Sequence, residues 1–278
     1  MKTLTRKNSK QNHKTILEPW VYRFLQDYRL NLEAANRSPK TISWYLSNLD
    51  RYFRFLADSG LLKPLEQLGR KELTAYITHL QQATRWPNKP ERNDNQKLSP
   101  SSIQGHVRAV KAFWGWLFHE EYLAKNPLEK YPLPRVPQKL IVTLSPEQVR
   151  TLLSSIDRTT RLGARNYLII LMLYDGGFRI SELLNVRLQD IDMNSGIVTV
   201  VGKGEKHRRI PLSRRTLREL SRYLNRKMAG DHRGRNAYLF AIDDRKKIST
   251  NGVQQMLRRL KIQAGFGDMS VSPHTFRH

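Results

Sequence analysis

Three short stretches of this sequence hold residue types able to grip a phosphate or move a proton. One is Gly176-Gly177-Phe178-Arg179-Ile180-Ser181-Glu182-Leu183, the next Gly202-Lys203-Gly204-Glu205-Lys206, and the last His274-Thr275-Phe276-Arg277-His278. Arginine offers a planar fork matched to two oxygens, lysine a compact cation that can shed a proton, and histidine a group that titrates near neutrality. Each stretch also has a plainer reading. Arg179 fits an internal ion pair with Glu182 or Asp190 as well as it fits a phosphate fork. Lys203 fits an ordinary surface turn; a P-loop there lacks its Gly-Lys-Ser/Thr ending, and a strand follows instead of a helix. His274 and His278, at helical spacing, could be metal ligands, but no glutamate follows His274, no third ligand is evident and there is no cysteine. No metal site and no cofactor is expected. The better-fitting reading pairs His274-x-x-Arg277 with Arg179.

The elements around these residues can be read from periodicity. Asn166 to Leu173 is apolar almost throughout and reads as a buried helix. Gly176 and Gly177 supply the backbone freedom of a helix end, and Ile180, Leu183 and Leu184 restart a helical period. Arg179 therefore stands at a tight helix-to-helix corner. Gly196 to Val201 is short and β-branched, and His207 to Leu212 returns, so Lys203 sits at the tip of a hairpin. Ser213 to Lys227 is a basic amphipathic helix, and Ser249 caps another that displays Gln254, Arg258 and Lys261 on one side.

The 278-residue length allows two domains, and 49 Lys and Arg against 24 Asp and Glu give a formal net charge of +25. An excess of that size points to a polyanion, and double-stranded DNA is the partner expected. No apolar run is long enough to span a bilayer and no signal-peptide pattern opens the chain, so no membrane partner is expected. The lack of cysteine excludes disulfides and thiolate metal sites and fits a cytoplasmic protein, which with DNA as its partner is expected to be nucleoid-associated.

Residues 1–15 read as a basic disordered arm. Residues 16–131 read as a helical domain. Trp20, Phe24, Leu25 and Tyr28 mark its first helix, and Ser38-Pro39 opens a second that carries Lys40 and runs to Gly60. Glu72 to Gln82 forms a third, and Ser99-Pro100 opens a fourth with the stripe Ile103, Val107, Val110, Trp114, Leu117. The opposite side of the fourth presents Gln104, Arg108 and Lys111, either as a solvated face or as a DNA contact. Arg85 to Lys97 reads as a polar loop. Residues 132–142, rich in proline and basic, read as a linker, and Ser145-Pro146-Glu147-Gln148 opens a second domain over 143–278 with a capping box. The fold class expected is mainly α with a small antiparallel β-sheet.

Taken in order, the three stretches resemble the signature of the tyrosine recombinase (phage integrase) family. That signature is Gly-hydrophobic-Arg-x-Ser-Glu-Leu, a lysine in a Gly-Lys-Gly hairpin, then His-x-x-Arg. Leu188-Gln189-Asp190-Ile191-Asp192 matches the segment between corner and hairpin, and the helical first domain looks like the family's core-binding domain. The resemblance implies a C-shaped clamp on duplex DNA and a metal-independent, site-specific recombinase working through a 3′-phosphotyrosyl intermediate. It also implies a homotetramer or paired dimers on DNA. Arg179 and Arg277 would hold the non-bridging oxygens of the scissile phosphate and Lys203 would protonate the leaving 5′ oxygen. His274 would assist proton transfer, and Glu182 would support the site. Lys40, Arg108, Lys111, Arg258 and Lys261 are the DNA-contact candidates.

The sequence departs from the family in two places. Gly176-Gly177-Phe178 stands where Thr-Gly-Leu is commoner. The family's nucleophilic tyrosine lies beyond His-x-x-Arg, and no tyrosine up to His278 matches it, so the chain is expected to bind DNA without cleaving it. A non-catalytic DNA-binding regulator on the same fold is the alternative. A metal-dependent nuclease would have to draw on Asp190, Asp192, Asp243 and Asp244.

Overall fold

The structure, a computed structural model, describes residues 17–84, 97–138, 143–202, 206–228, 234–242, 246–267 and 269–276, with backbone alone for 226–228. The chain divides into two compact units, Met1–Gln138 and Lys139–His278. The fold is mainly helical with one small antiparallel sheet.

The first unit contains α1 (Pro19–Ala34), α2 (Pro39–Asp58), α3 (Arg70–Gln82) and α4 (Pro100–His119). Serine caps set two of these starts: Ser38 Oγ accepts from the Thr41 N–H and Ser99 Oγ from the Ser102 N–H, each at 3.2 Å, with proline following in the first turn. The apolar stripes meet in an aromatic core of Tyr52, Phe53, Tyr76, Phe113 and Trp114, all fully buried. Rings there meet mostly edge to face, as their quadrupoles favour. Of the polar loop expected over 85–97, residues 85–96 lie outside the described residues; Thr84 and Lys97 pair as an antiparallel bridge at its base.

The polar side of α4 has a structural use that periodicity did not predict. Gln104 Nε2 donates to the Pro134 carbonyl at 2.9 Å, and Lys111 Nζ donates to the carbonyls of Glu129 and Tyr131. Prolines lack an N–H but keep an accepting carbonyl, so a proline-rich strand can be fastened from one side only. The segment after α4 is thereby tied to that helix, and the first unit runs on to Gln138, past the linker start read at 132.

The second unit contains α5 (Pro146–Ser154), α6 (Arg161–Asp175), α7 (Ile180–Asn185), β1 (Ile191–Asp192), β2 (Ile197–Val201), β3 (His207–Pro211), α8 (Arg214–Met228) and α9 (Thr250–Gln263). The capping box forms as read: Ser145 Oγ accepts from the Gln148 N–H and Gln148 Oε1 from the Ser145 N–H. Every residue of α6 from Tyr167 to Leu173 is buried, which is why that stretch shows no amphipathic period. The sheet order is β1-β2-β3, antiparallel, with Val198 opposite Ile210 and Val200 opposite Arg208. At two residues β1 is too short to show alternation, and the sequence reading missed it. Among the described residues no helix is long and apolar enough to cross a membrane.

Candidate active site

The corner between α6 and α7 is built by three neighbours. The Gly176 N–H closes α6 on the Met172 carbonyl, Gly177 turns the chain at φ +57°, and Phe178 drives its ring fully into the core. Arg179 follows as the N-cap of α7, a position its side chain cannot cap. Glu182 supplies the acceptor instead, its Oε2 taking the Arg179 N–H at 2.9 Å.

The same carboxylate holds two guanidiniums. Glu182 Oε1 accepts from Arg179 Nη1 at 2.7 Å, and Oε2 from Arg208 Nη2 at 2.8 Å. The Glu182 side chain is 2% exposed, against 51% for Arg179 and 36% for Arg208, so the carboxylate is at the bottom and the arginines face outward. Burial alone pushes the Glu182 carboxyl up. The hydrogen bonds from the Arg179 side chain and backbone, with Arg208 beside them, reverse this and hold it below the usual carboxylate range. The ion pair and the phosphate fork, separate readings in the sequence, are thus compatible: Glu182 takes one edge of Arg179 and about half of that side chain remains open. Asp190, the other partner considered, instead accepts the Arg187 N–H at 2.8 Å.

Arg208 is a member of the site that the sequence reading did not assign. Pairing opposite Val200, two residues before buried Ile210, places it on the inward face of β3. That period-two relation to Ile210 was the available signal. The hairpin also closes over the carboxylate: a Cβ on Gly202 would stand 3.5 Å from Glu182 Oε1, and the Gly202 N–H donates to the Lys206 carbonyl at 2.8 Å.

Lys203, expected from the sequence at the hairpin tip, lies outside the described residues, as does Arg277. His274 is exposed on a turn held by Ser272 and Thr275, with Phe276 buried in the core behind it. Among the described residues no hydrogen bond or ion pair joins His274 to Arg179. The structure therefore brings Arg179 together with Glu182 and Arg208, and stations His274 on a separate turn of the same unit.

The remaining candidates are placed as follows. Asp192 is occupied by its own turn through Ser195 and Asn194, while Asp243 and Asp244 lie outside the described residues. Of the tyrosines in the second unit, Tyr167 is buried with its hydroxyl accepting from Arg215. Tyr223 is buried against the Leu239 carbonyl, and Tyr238 lies under Arg187 and Lys247. Tyr174, on the last turn of α6, is 40% exposed. Lys40, Arg108 and Arg258 are exposed on α2, α4 and α9, and Lys261 is half-buried on α9. Lys111 is the exception among the DNA-contact candidates, its ammonium engaged by the carbonyls of Glu129 and Tyr131.

Family comparison agrees with this architecture. Residues 143–278 match the model of the phage integrase family, and residues 24–124 that of the phage integrase N-terminal SAM-like domain. The chain is 28% identical over 246 residues to the tyrosine recombinase XerC of Anoxybacillus flavithermus, covering 87% of this chain and 77% of that protein. It is 28% identical over 265 residues to XerC of Oceanobacillus iheyensis, covering 94% and 81%. Among solved structures it is similar in fold to XerH recombinase bound to palindromic difH substrate (TM-score 0.67, 18% identity, 91% of this chain and 70% of that one). It is also similar to the Tn1549 transposon integrase in complex with transposon right end DNA (TM-score 0.67, 19% identity, 92% and 84%). With the Arg179 corner, the β2–β3 hairpin and both domain models in one chain, the protein belongs to the tyrosine recombinase (phage integrase) family.

Proposed function

We propose that this chain binds duplex DNA with both domains and holds one backbone phosphate at Arg179 for site-specific recombination. The observation that carries the reading is the Arg179–Glu182–Arg208 cluster: two guanidiniums on one buried carboxylate leave net positive charge at an exposed arginine. In the proposed reaction a tyrosine oxygen attacks phosphorus, a 3′-phosphotyrosyl bond forms, and the bond to the 5′ oxygen breaks. Arg179 and Arg277 meet the charge that develops on the non-bridging oxygens, Lys203 gives the departing 5′ oxygen its proton, and His274 assists proton transfer. No step requires a metal. The phosphotyrosyl bond conserves the energy of the broken phosphodiester, so a second strand's 5′ hydroxyl can reverse the attack. Paired dimers or a tetramer on two DNA sites would bring that second strand.

The attacking tyrosine is not assigned to residues 143–278. Tyr167, Tyr223 and Tyr238 are buried or engaged by cations, and Tyr174 ends the helix before Arg179, not the segment after His274. With none of these tyrosines assigned to the attack, the 278-residue chain is expected to bind DNA and form no covalent adduct by itself; the protein expressed from the gene's whole reading frame is tested beside it. The experiment selects a binding site from random duplexes, then resolves labelled DNA on a denaturing gel with and without EDTA. An EDTA-resistant adduct from the whole reading frame supports the reading. Specific binding with no adduct from either protein would favour the DNA-binding regulator, and cleavage abolished by EDTA would favour a metal-dependent nuclease.

A further inference from the structure

Glu182 carries one negative charge, and two guanidiniums share it, Arg179 Nη1 at 2.7 Å and Arg208 Nη2 at 2.8 Å. If Arg179 were its sole partner the pair would be neutral, and an arginine neutralised at contact distance attracts a phosphate weakly. Arg208 changes that balance from below. Its Nη2 also donates to the Gly177 carbonyl at 3.3 Å, and its buried Nε meets no acceptor among the described residues. Its guanidinium is directed at the corner and the carboxylate, while Arg179 keeps the larger open surface. β3 fixes the geometry, because Arg208 is registered opposite Val200 and followed on the same face by buried Ile210.

We propose that Arg208 is a positioning residue whose charge cancels that of Glu182, so that Arg179 keeps a full positive charge and a fixed orientation for a phosphate oxygen. This rests on Arg179 being the phosphate ligand of the proposed reaction. Removing Arg208 alone should leave a neutral pair at the corner. Removing the Glu182 charge at the same time should restore the cation, because glutamine keeps a carbonyl for the Arg179 N–H that opens α7.

The test uses the 278-residue chain labelled with nitrogen-15 at arginine, titrated with inorganic sulfate while the Arg179 Nε–Hε resonance is followed. Arg208→Met is expected to weaken sulfate at Arg179 about tenfold, the scale of one lost charge-assisted interaction. Arg208→Lys, which keeps the charge, and Arg208→Met with Glu182→Gln, which removes both charges, are each expected to stay within about threefold of the unsubstituted chain. A merely structural arginine would not be rescued by Glu182→Gln. Unchanged sulfate affinity in folded Arg208→Met, or affinity still lost in the folded double variant, overturns the proposal. Should Arg208→Met fail to fold, Arg208→Gln, which also removes the charge, takes its place with the same tenfold loss expected. The expected sulfate pattern without strand cleavage by the whole reading frame would overturn the recombinase function alone; cleavage with sulfate affinity indifferent to Arg208 would overturn this proposal alone.

Discussion

The ring of Phe178 fills the space that a side chain at position 176 would need: a Cβ on Gly176 would stand 2.3 Å from Phe178 Cε2 and 3.2 Å from Ile210 Cγ2. Phe178 is fully buried and cannot swing away, so the two residues are a matched pair. This accounts for Gly-Gly-Phe where Thr-Gly-Leu is commoner in the family. Gly176→Thr is expected to destabilise the chain by about 1–3 kcal/mol through overpacking. Phe178→Leu added to it should recover part of that loss, a coupling read from denaturant midpoints of the four proteins. Strict additivity would refute the pairing.

Arg179→Ala should separate catalysis from binding. The charge that develops on the non-bridging oxygens exists only in the transition state, so in a cleavage-competent protein the lost donor should cost on the order of 3 kcal/mol in single-turnover cleavage and little in DNA affinity. Equal losses in both would place Arg179 among ordinary backbone contacts.

Lys203 is tested by its leaving group. Lys203→Ala should slow cleavage of a normal strand, and replacing the 5′ oxygen with sulfur, which departs without a proton, should recover most of the rate. No recovery would remove Lys203 from the acid role.

His106 makes the first unit's stability depend on pH. Burial, then the nearby Arg51 charge, push it down to about 4, and its Nδ1 meets the Tyr76 hydroxyl at 3.3 Å. The folded state thus binds the proton less readily than the unfolded chain, whose histidine titrates near about 6.5. Its contribution is complete above that pH and is lost as pH falls from about 6.5 through about 4. The loss is on the order of 1–2 kcal/mol after allowance for solvent screening. Urea unfolding across that window, compared with His106→Gln, should show the slope in the native chain and a flatter curve in the variant.

Two basic residues on α4 should behave differently. Lys111→Ala removes the donor to the Glu129 and Tyr131 carbonyls, so it should lower thermal stability and leave the salt slope of DNA binding nearly unchanged. Arg108 is exposed, and Arg108→Ala should weaken binding and reduce that slope by about 1, the release of one phosphate's counterion. The reverse pattern would return Lys111 to the DNA-contact set.

Legibility in the sequence followed the range of the cause. The caps at Ser38, Ser99, Ser145 and Ser249, the buried run of α6 and the Gly177 turn depend on neighbours within a few residues, and each could be read directly. The β2–β3 hairpin was legible for the same reason, whereas β1 was not, because two residues carry no period. The polar side of α4 misled in part. Spacing says which residues share a helix face, but not whether Tyr131 and Pro134 will come back to cover it.

The sequence by itself determined the residue types, their order and the local corners that present them: an arginine after a left-handed glycine, and a histidine before Phe276. The charge excess that points to a polyanion is likewise a property of composition alone. Only the tertiary structure decided which charges meet. Glu182 and Arg208 are 26 residues apart in the chain, and nothing local to either one specifies the other. Their contact follows from the register of β3 on β2 and from α7 packing against β2, which carry the guanidinium to a carboxylate buried deeply enough to need it.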